Sequence, residues 1–322
     1  MDESLMVLTR LLMGLGHLAL FLVAAPLLQG FIKTSKAFWQ MRQGPSILQP
    51  YRDLRKLLNK EELISEHASW MFLLTPRIAL VSTLMAALVI PNAWGWAPLS
   101  GWGDLFLFGA SLGLVRLFST LSGLEGASTF GGMGSSRELF VGLLTEPALL
   151  LGLIVLAFIT GTTSLQGMTS GLVTISPIFI PRLLVLIALV MVSIAEMGRI
   201  PVDNPDTHLE LTMIHEGMLL EYSGTSLALL SFAEQVKQLL LLCLLAQIVW
   251  PSGLISASDG LLGLLWALGF AGVKVAVLGF FFATVESFFV KRRLFLLPNY
   301  LATSTAAAIL ALVSLWFIRG QI

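Results

Sequence analysis

The sequence predicts an all-α polytopic membrane protein with about eight transmembrane helices. Three observations predict it. Hydrophobic residues make up 56% of the 322-residue chain and charged residues 12%, about half the charged share of a soluble domain. Several apolar runs reach the roughly 20 residues that a bilayer-crossing helix needs. Those runs carry interior glycines, among them Gly14, Gly16, Gly109, Gly113, Gly269 and Gly272, which suit close helix packing in lipid. The formal net charge is zero, so nothing favours nucleic-acid binding.

The apolar runs place spans at 8–32, 71–91, 103–121, 138–161, 181–199, 234–250, 261–289 and 297–318. The first has no basic segment followed by a small-residue cleavage site, so it is expected to be a retained span. The third carries Arg116. Ser135 or Ser136 is expected to cap the fourth, with Glu138 in its first turn. Glu146 then lies about 12 Å deeper at 1.5 Å per residue, beside Pro147. The fifth span ends at Glu196 and Arg199. The sixth contains Lys237 and the only cysteine, Cys243. A lone thiol can form no internal disulfide and hold no iron–sulfur cluster. The seventh, with Lys274 and Glu286, is long enough to tilt or to extend past the bilayer. Residues 1–322 read as a single membrane domain.

Lys and Arg set the orientation. Loop 33–70 holds Lys33, Lys36, Arg42, Arg52, Arg55, Lys56 and Lys60, and the loop after span seven holds Lys291, Arg292 and Arg293. Loops 92–102, 162–180 and 251–260 contain no Lys or Arg. They include Trp94, Trp96 and Trp102, which read as an interfacial belt. The basic loops, with 122–137 and 200–233, are therefore expected to be cytoplasmic, and both termini are expected on the non-cytoplasmic side.

Ionisable residues concentrate in 196–224, which holds six of the chain's nineteen acids and two of its four histidines. Buried charge in an apolar chain points to function. Glu196 and Arg199, three apart, are expected to pair. Pro201 interrupts the helix. Asn204-Pro205 reads as the start of a second helix running to about Tyr222 and stopped by Gly224. That helix would set Asp206, Glu210 and Glu221 on one face, with His208 and His215 to the side. Neighbouring buried carboxylates have raised, coupled pKa values and exchange protons near neutral pH. The plainer alternative is a solvated amphipathic loop. A metal site from His208, Glu210, His215 and Glu216 is disfavoured, because the histidines are seven residues apart.

Lys237 or Lys274 is expected to partner Glu146 or Glu196, with purely structural salt bridges as the alternative. In loop 38–67, Leu54, Leu57 and Leu58 form an apolar face opposite Arg52, Arg55, Lys56 and Lys60. This segment reads either as a helix lying on the bilayer surface or as a docking surface.

These residues resemble subunit 1 of respiratory complex I and its relatives in membrane-bound nickel–iron hydrogenases. The resemblance covers nearly the whole chain. It rests on Arg42-Gln43-Gly44-Pro45 with Gln49-Pro50, on the Lys237 and Lys274 positions, and most specifically on Glu196-x-x-Arg199-x-Pro201-x-Asp203, Glu210-Leu211 and Glu221-Tyr222-Ser223-Gly224. Val202 stands where the complex I pattern has Phe, His208 replaces an acid, and the run from Glu210 to Glu221 is longer. The segments Ser136-Arg137-Glu138 and Thr145-Glu146-Pro147 are similar to the hydrogenase-4 and formate hydrogenlyase type.

The resemblance implies a membrane-anchor and proton- or cation-coupling subunit of an oxidoreductase complex in a prokaryotic inner membrane. This chain would carry no cofactor. Iron–sulfur clusters and a nickel–iron site would lie in partners: hydrogenase large and small subunits, an iron–sulfur subunit and antiporter-like membrane subunits. Loops 33–70 and 200–233 would form the junction with the soluble subunits, with Arg42, Gln49, Arg52, Asp53, Arg55 and Lys56 as docking contacts. The ion path would use Glu138, Glu146, Glu196, Asp203, Asp206, His208, Glu210, Glu216, Glu221, Lys237 and Lys274, with Arg199 steadying the carboxylates. Two alternatives stay open. One is a quinone-site subunit, the quinone head entering between span one and 200–224. The other is a stand-alone secondary transporter, which inverted repeats would support; the sequence shows none.

Overall fold

The computed structural model describes residues 3–65, 68–91, 95–101, 104–126, 128–174, 179–204, 213–251 and 260–319. Among them the regular structure is helical: α1 (Glu3–Trp39), α2 (Gln49–Leu58), α3 (Trp70–Val89), α4 (Leu105–Glu125), α5 (Thr129–Thr160), α6 (Leu165–Thr174), α7 (Phe179–Glu196), α8 (His215–Leu219), α9 (Gly224–Val249), α10 (Gly260–Phe288) and α11 (Leu297–Arg319). Eight of these are long and apolar enough to cross a membrane: α1, α3, α4, α5, α7, α9, α10 and α11.

Local chemistry sets several helix ends. The Ser69 hydroxyl accepts from the Met71 N–H, and the Asp104 carboxylate accepts from Phe106 and Leu107, capping α3 and α4. Ser128, not Ser135 or Ser136, caps α5 by accepting from Gly131 at 3.0 Å. Span four therefore starts earlier than expected. Glu138 sits well inside it, and the Ser136 hydroxyl donates to the Met133 carbonyl instead. Gly161, at φ 75°, ends α5.

Gly224 opens α9 rather than stopping the helix before it. Its φ is 50°, and a Cβ there would lie 2.7 Å from the Glu61 carbonyl oxygen, so only glycine fits. Because α9 starts at 224, the loop after span five is shorter than 200–233. Likewise α1 runs to Trp39, which puts Lys33 and Lys36 in the helix. Helix α6 occupies part of the expected loop 162–180.

The connecting segments gather at two ends of the bundle. At one end Lys291 meets Asp203 at 2.6 Å, the Arg292 N–H donates to the Pro201 carbonyl at 2.9 Å, and the Leu63 N–H donates to the Ser223 hydroxyl at 2.8 Å. At the other end the Leu105 N–H donates to the Thr163 carbonyl, the Ala97 N–H to Gln166, and Arg182 to the Ile248 carbonyl. The described parts of the basic loops thus share one end, and those of 92–102 and 162–180 the other.

The core is apolar, with Phe108, Leu149, Leu153, Leu189, Leu240, Leu241 and Phe282 fully buried. Many polar groups inside it carry partners, as burial demands, although the buried Ser135 and Ser193 hydroxyls have none among the described residues. Pro76 offers no N–H to the Phe72 carbonyl four residues before it. The Tyr222 hydroxyl supplies that donor at 3.0 Å, its ring stacked on Phe72 at 4.0 Å.

Candidate functional site

Arg116 of α4 is the hub of the site. Its guanidinium donates to Glu196 of α7 at 2.5 Å, to Glu146 of α5 at 2.7 Å and to Glu138 of α5 at 3.1 Å. A planar fork of five N–H donors spreads its contacts over three carboxylates, where a lysine would present three donors on one compact ammonium. Glu196 also accepts from the Thr145 hydroxyl at 2.9 Å, and Lys237 of α9 lies 3.8 Å away. Gly142 makes room for the arginine: a Cβ there would sit 2.4 Å from Arg116 Cδ. The side chains of Arg116 and Glu196 are 7% and 3% exposed, whereas that of Glu146 is 44% exposed. The cluster therefore runs from the centre of the bundle to the outer face of α5.

A second cluster centres on Arg199. Its guanidinium reaches Glu286 of α10 at 3.2 Å, Gln29 of α1 at 2.7 Å and Gln238 of α9 at 3.0 Å. Glu286 also pairs with Lys36 at 2.7 Å. The expected Glu196–Arg199 pair is not made. Helix α7 ends at Glu196, and Gly198 turns the chain at φ 57°. Arg199 therefore leaves the helix face that would have brought the two together.

Between the clusters lies a polar cavity of about 240 Å³. Its walls include Lys33, Asp53, Glu138, Glu196, Arg199, Asp203, Glu216 and Lys237. His215 and Glu234, also on the wall, are in direct contact. The cavity lies between α1, α2, α9 and the turn after α7.

Asp203 organises the turn below the cavity. Its carboxylate accepts from the backbone N–H groups of Asn204, Ile214 and His215 and from Lys291. These bonds start a fresh turn at His215. The continuous helix expected from Pro205 to Tyr222 is thus corrected: 213–214 are not helical, α8 covers only His215–Leu219, and Glu221 lies beyond its end. Glu221 instead packs its side chain beside Gly126 at the end of α4. Asp206, His208 and Glu210 lie outside the described residues.

Lys274 does not partner Glu146 or Glu196. Its ammonium lies at the opposite end of the bundle, donating to the Trp250 carbonyl at 2.6 Å and standing over the Phe270 ring. On α2, Gln49 donates to Asp53 at 2.8 Å, and Arg52, Arg55 and Lys56 are exposed, as is Arg42 before it. Leu54 and Leu57 are half-buried, whereas Leu58 is exposed. Among the described residues, no three His, Cys, Asp or Glu side chains gather as metal ligands.

The sequence alone leaves Arg116 without a partner and gives no prominence to Glu234 and Gln238. Their signal is present in it: each is a polar group within or beside an apolar run, where an unpaired charge is costly. Only the packing of α4, α5, α7 and α9 reveals which groups meet.

Comparison with known proteins agrees with this architecture. A family model described as NADH dehydrogenase matches residues 12–317. The chain is 35% identical to formate hydrogenlyase subunit 4 of Escherichia coli, over 92% of the chain and 96% of that protein. It is 36% identical to hydrogenase-4 component C of the same organism, over 74% and 75%. To an NADH-quinone oxidoreductase subunit of Rhodobacter capsulatus it is 26% identical, over 85% and 81%. A chain of an archaeal respiratory membrane complex, the membrane-bound sulfane sulfur reductase, shares the fold with a TM-score of 0.81 at 21% identity, covering 94% of this chain and 99% of that one. Eight apolar helices in the fold of that membrane-complex chain make this a multi-pass membrane protein, and it belongs to the NADH dehydrogenase family.

Proposed function

We propose that this chain is the membrane-anchor and proton-coupling subunit of a complex I-like hydrogenase in a prokaryotic inner membrane. The observation that carries this reading is the Arg116 hub, which joins three carboxylates from two helices to the polar cavity. With all groups ionised, Glu138, Glu146 and Glu196 contribute −3 and Arg116 and Lys237 contribute +2, so the cluster carries −1. One proton neutralises it. A proton arriving from the cavity at Glu196 passes to Glu138 or Glu146 as Arg116 exchanges partners. Glu146, half exposed on α5, then hands it to an adjoining antiporter-like membrane subunit.

The basic loops and α2 form the cytoplasmic junction in this reading. Soluble hydrogenase large and small subunits and an iron–sulfur subunit dock there, through Arg42, Gln49, Arg52, Asp53, Arg55 and Lys56. The iron–sulfur clusters and nickel–iron site belong to those partners, and this chain supplies charge and shape rather than redox groups. The hydrogenase assignment is supported by the two Escherichia coli relatives. A second reading, a quinone-site subunit, is favoured by the cavity between α1, α2 and the Arg199–Asp203 turn.

Affinity purification of the tagged chain from its native membrane, followed by mass spectrometry, tests the assignment. A co-purifying large subunit with paired Cys-x-x-Cys nickel-ligand motifs is expected. Recovery of an NADH-oxidising module in its place would establish the second reading. An active chain that transports ions alone would overturn both.

A further inference from the structure

Helix α4 carries a polar stripe of which the ion path described above uses Arg116 alone. Arg116, Ser119, Ser122 and Glu125 follow one another at intervals of three, so they are neighbours along one flank of the helix. The stripe runs from the Arg116 hub to the bundle end where the basic loops gather. Ser119 and Ser122 are buried, and the Ser122 hydroxyl donates to the Ser119 carbonyl at 2.9 Å. Glu125 is half-buried at the last turn. Its Oε2 is covered and has no hydrogen-bond partner among the described residues.

Beside the stripe is a second cavity of about 20 Å³, lined by Ser119, Ser122, His215, Tyr222, Glu234 and Lys237 among others. That volume accommodates about one water, and the polar wall offers it several partners. His215, Glu234 and Lys237 also line the larger cavity, so the small cavity adjoins the main site. Burial pushes the Tyr222 phenol up to about 12, and the nearby charge of Glu125 adds to the shift. The phenol therefore stays protonated on the Phe72 carbonyl and forms a fixed wall.

We infer that the Glu125–Ser122–Ser119 stripe, bridged by one water in the small cavity, is a separate proton entrance to the Arg116 hub. A proton taken up from the medium by the Glu125 carboxylate passes through the Ser122 hydroxyl and the water to Glu234 or Lys237, each group releasing one proton as it accepts the next. Lys237 lies against Glu196, so the proton reaches the hub without crossing the large cavity. This inference rests on the proton-coupling reading.

The assembled complex, reconstituted in lipid vesicles, tests it through protons moved per electron pair. Glu125→Gln, at a half-exposed position, removes the entry carboxylate and keeps the shape. Ser122→Val fills the small cavity, whereas Ser122→Ala leaves room for water. Glu125→Gln and Ser122→Val are expected to lower proton movement at least fivefold. Glu125→Asp and Ser122→Ala are expected to retain most of it. If Glu125→Gln and Ser122→Val both move protons like the wild type while Glu196→Gln does not, the entrance is wrong and the coupling reading stands. If the wild-type complex moves no protons, both fall.

Discussion

Arg116 and Glu196 meet at 2.5 Å although they lie 80 residues apart in the chain. One comes from the middle of α4, the other from the last position of α7. Neither charge is tolerable alone at that depth, because each loses its hydration on burial. Their contact therefore fixes the relative placement of two spans and centres the charge cluster. The same guanidinium serves Glu138 and Glu146, so altering one bond perturbs the others.

Removing the hub should be costly. Arg116→Met leaves three carboxylates facing one another, and breaking a buried pair typically costs about 3–5 kcal/mol. Thermal unfolding of the purified complex should shift down markedly. Arg116→Lys should recover part of that stability but little proton movement, since a compact ammonium lacks the planar fork that spans the three carboxylates.

Gly142→Ala probes the same hub without touching a charge. The added methyl would lie 2.4 Å from Arg116 Cδ and must push the arm aside. Overpacking of this kind costs about 1–3 kcal/mol. Proton movement should fall with stability, and a compensating loss of bulk beside the arm should restore both. Wild-type transport in Gly142→Ala would show that the arm's position is not critical.

Tyr222→Phe separates stacking from hydrogen bonding. The ring still stacks on Phe72, but the carbonyl opposite Pro76 loses its donor. A loss of about 1 kcal/mol is expected, read as a lower unfolding midpoint.

The fold class and the eight spans were legible because lipid demands long apolar runs and leaves a strong compositional signal. Helix starts were less so. Ser128 rather than Ser135 or Ser136 caps α5, and Gly224 begins α9, because a close approach to Glu61 and a positive φ outweigh local sequence cues. The site residues in spans four and five were legible as charges in apolar surroundings. Their partners were not. Glu196 and Arg199 look like a pair on a helix, yet Gly198 ends that helix between them. Arg116 could be recognised as expensive but not as shared by three acids, since that depends on helices brought together from distant parts of the chain.

Lys274 and Lys237 offer a paired comparison. Lys237 stands 3.8 Å from Glu196, while Lys274 contacts the Trp250 carbonyl at the other end of the bundle. Lys237→Met should lower proton movement several-fold, and Lys274→Met should leave it near wild type in the same vesicle assay. The reverse pattern would place the path elsewhere.

The most direct measurement is the number of protons moved per electron pair by the reconstituted complex carrying Glu196→Gln. Glutamine keeps the shape and the contact with Arg116 but holds no exchangeable carboxyl proton. A loss of at least tenfold, in a complex that still assembles, is the result predicted. Proton movement equal to wild type would contradict the account, because the carboxylate at the centre of the cluster would then carry nothing.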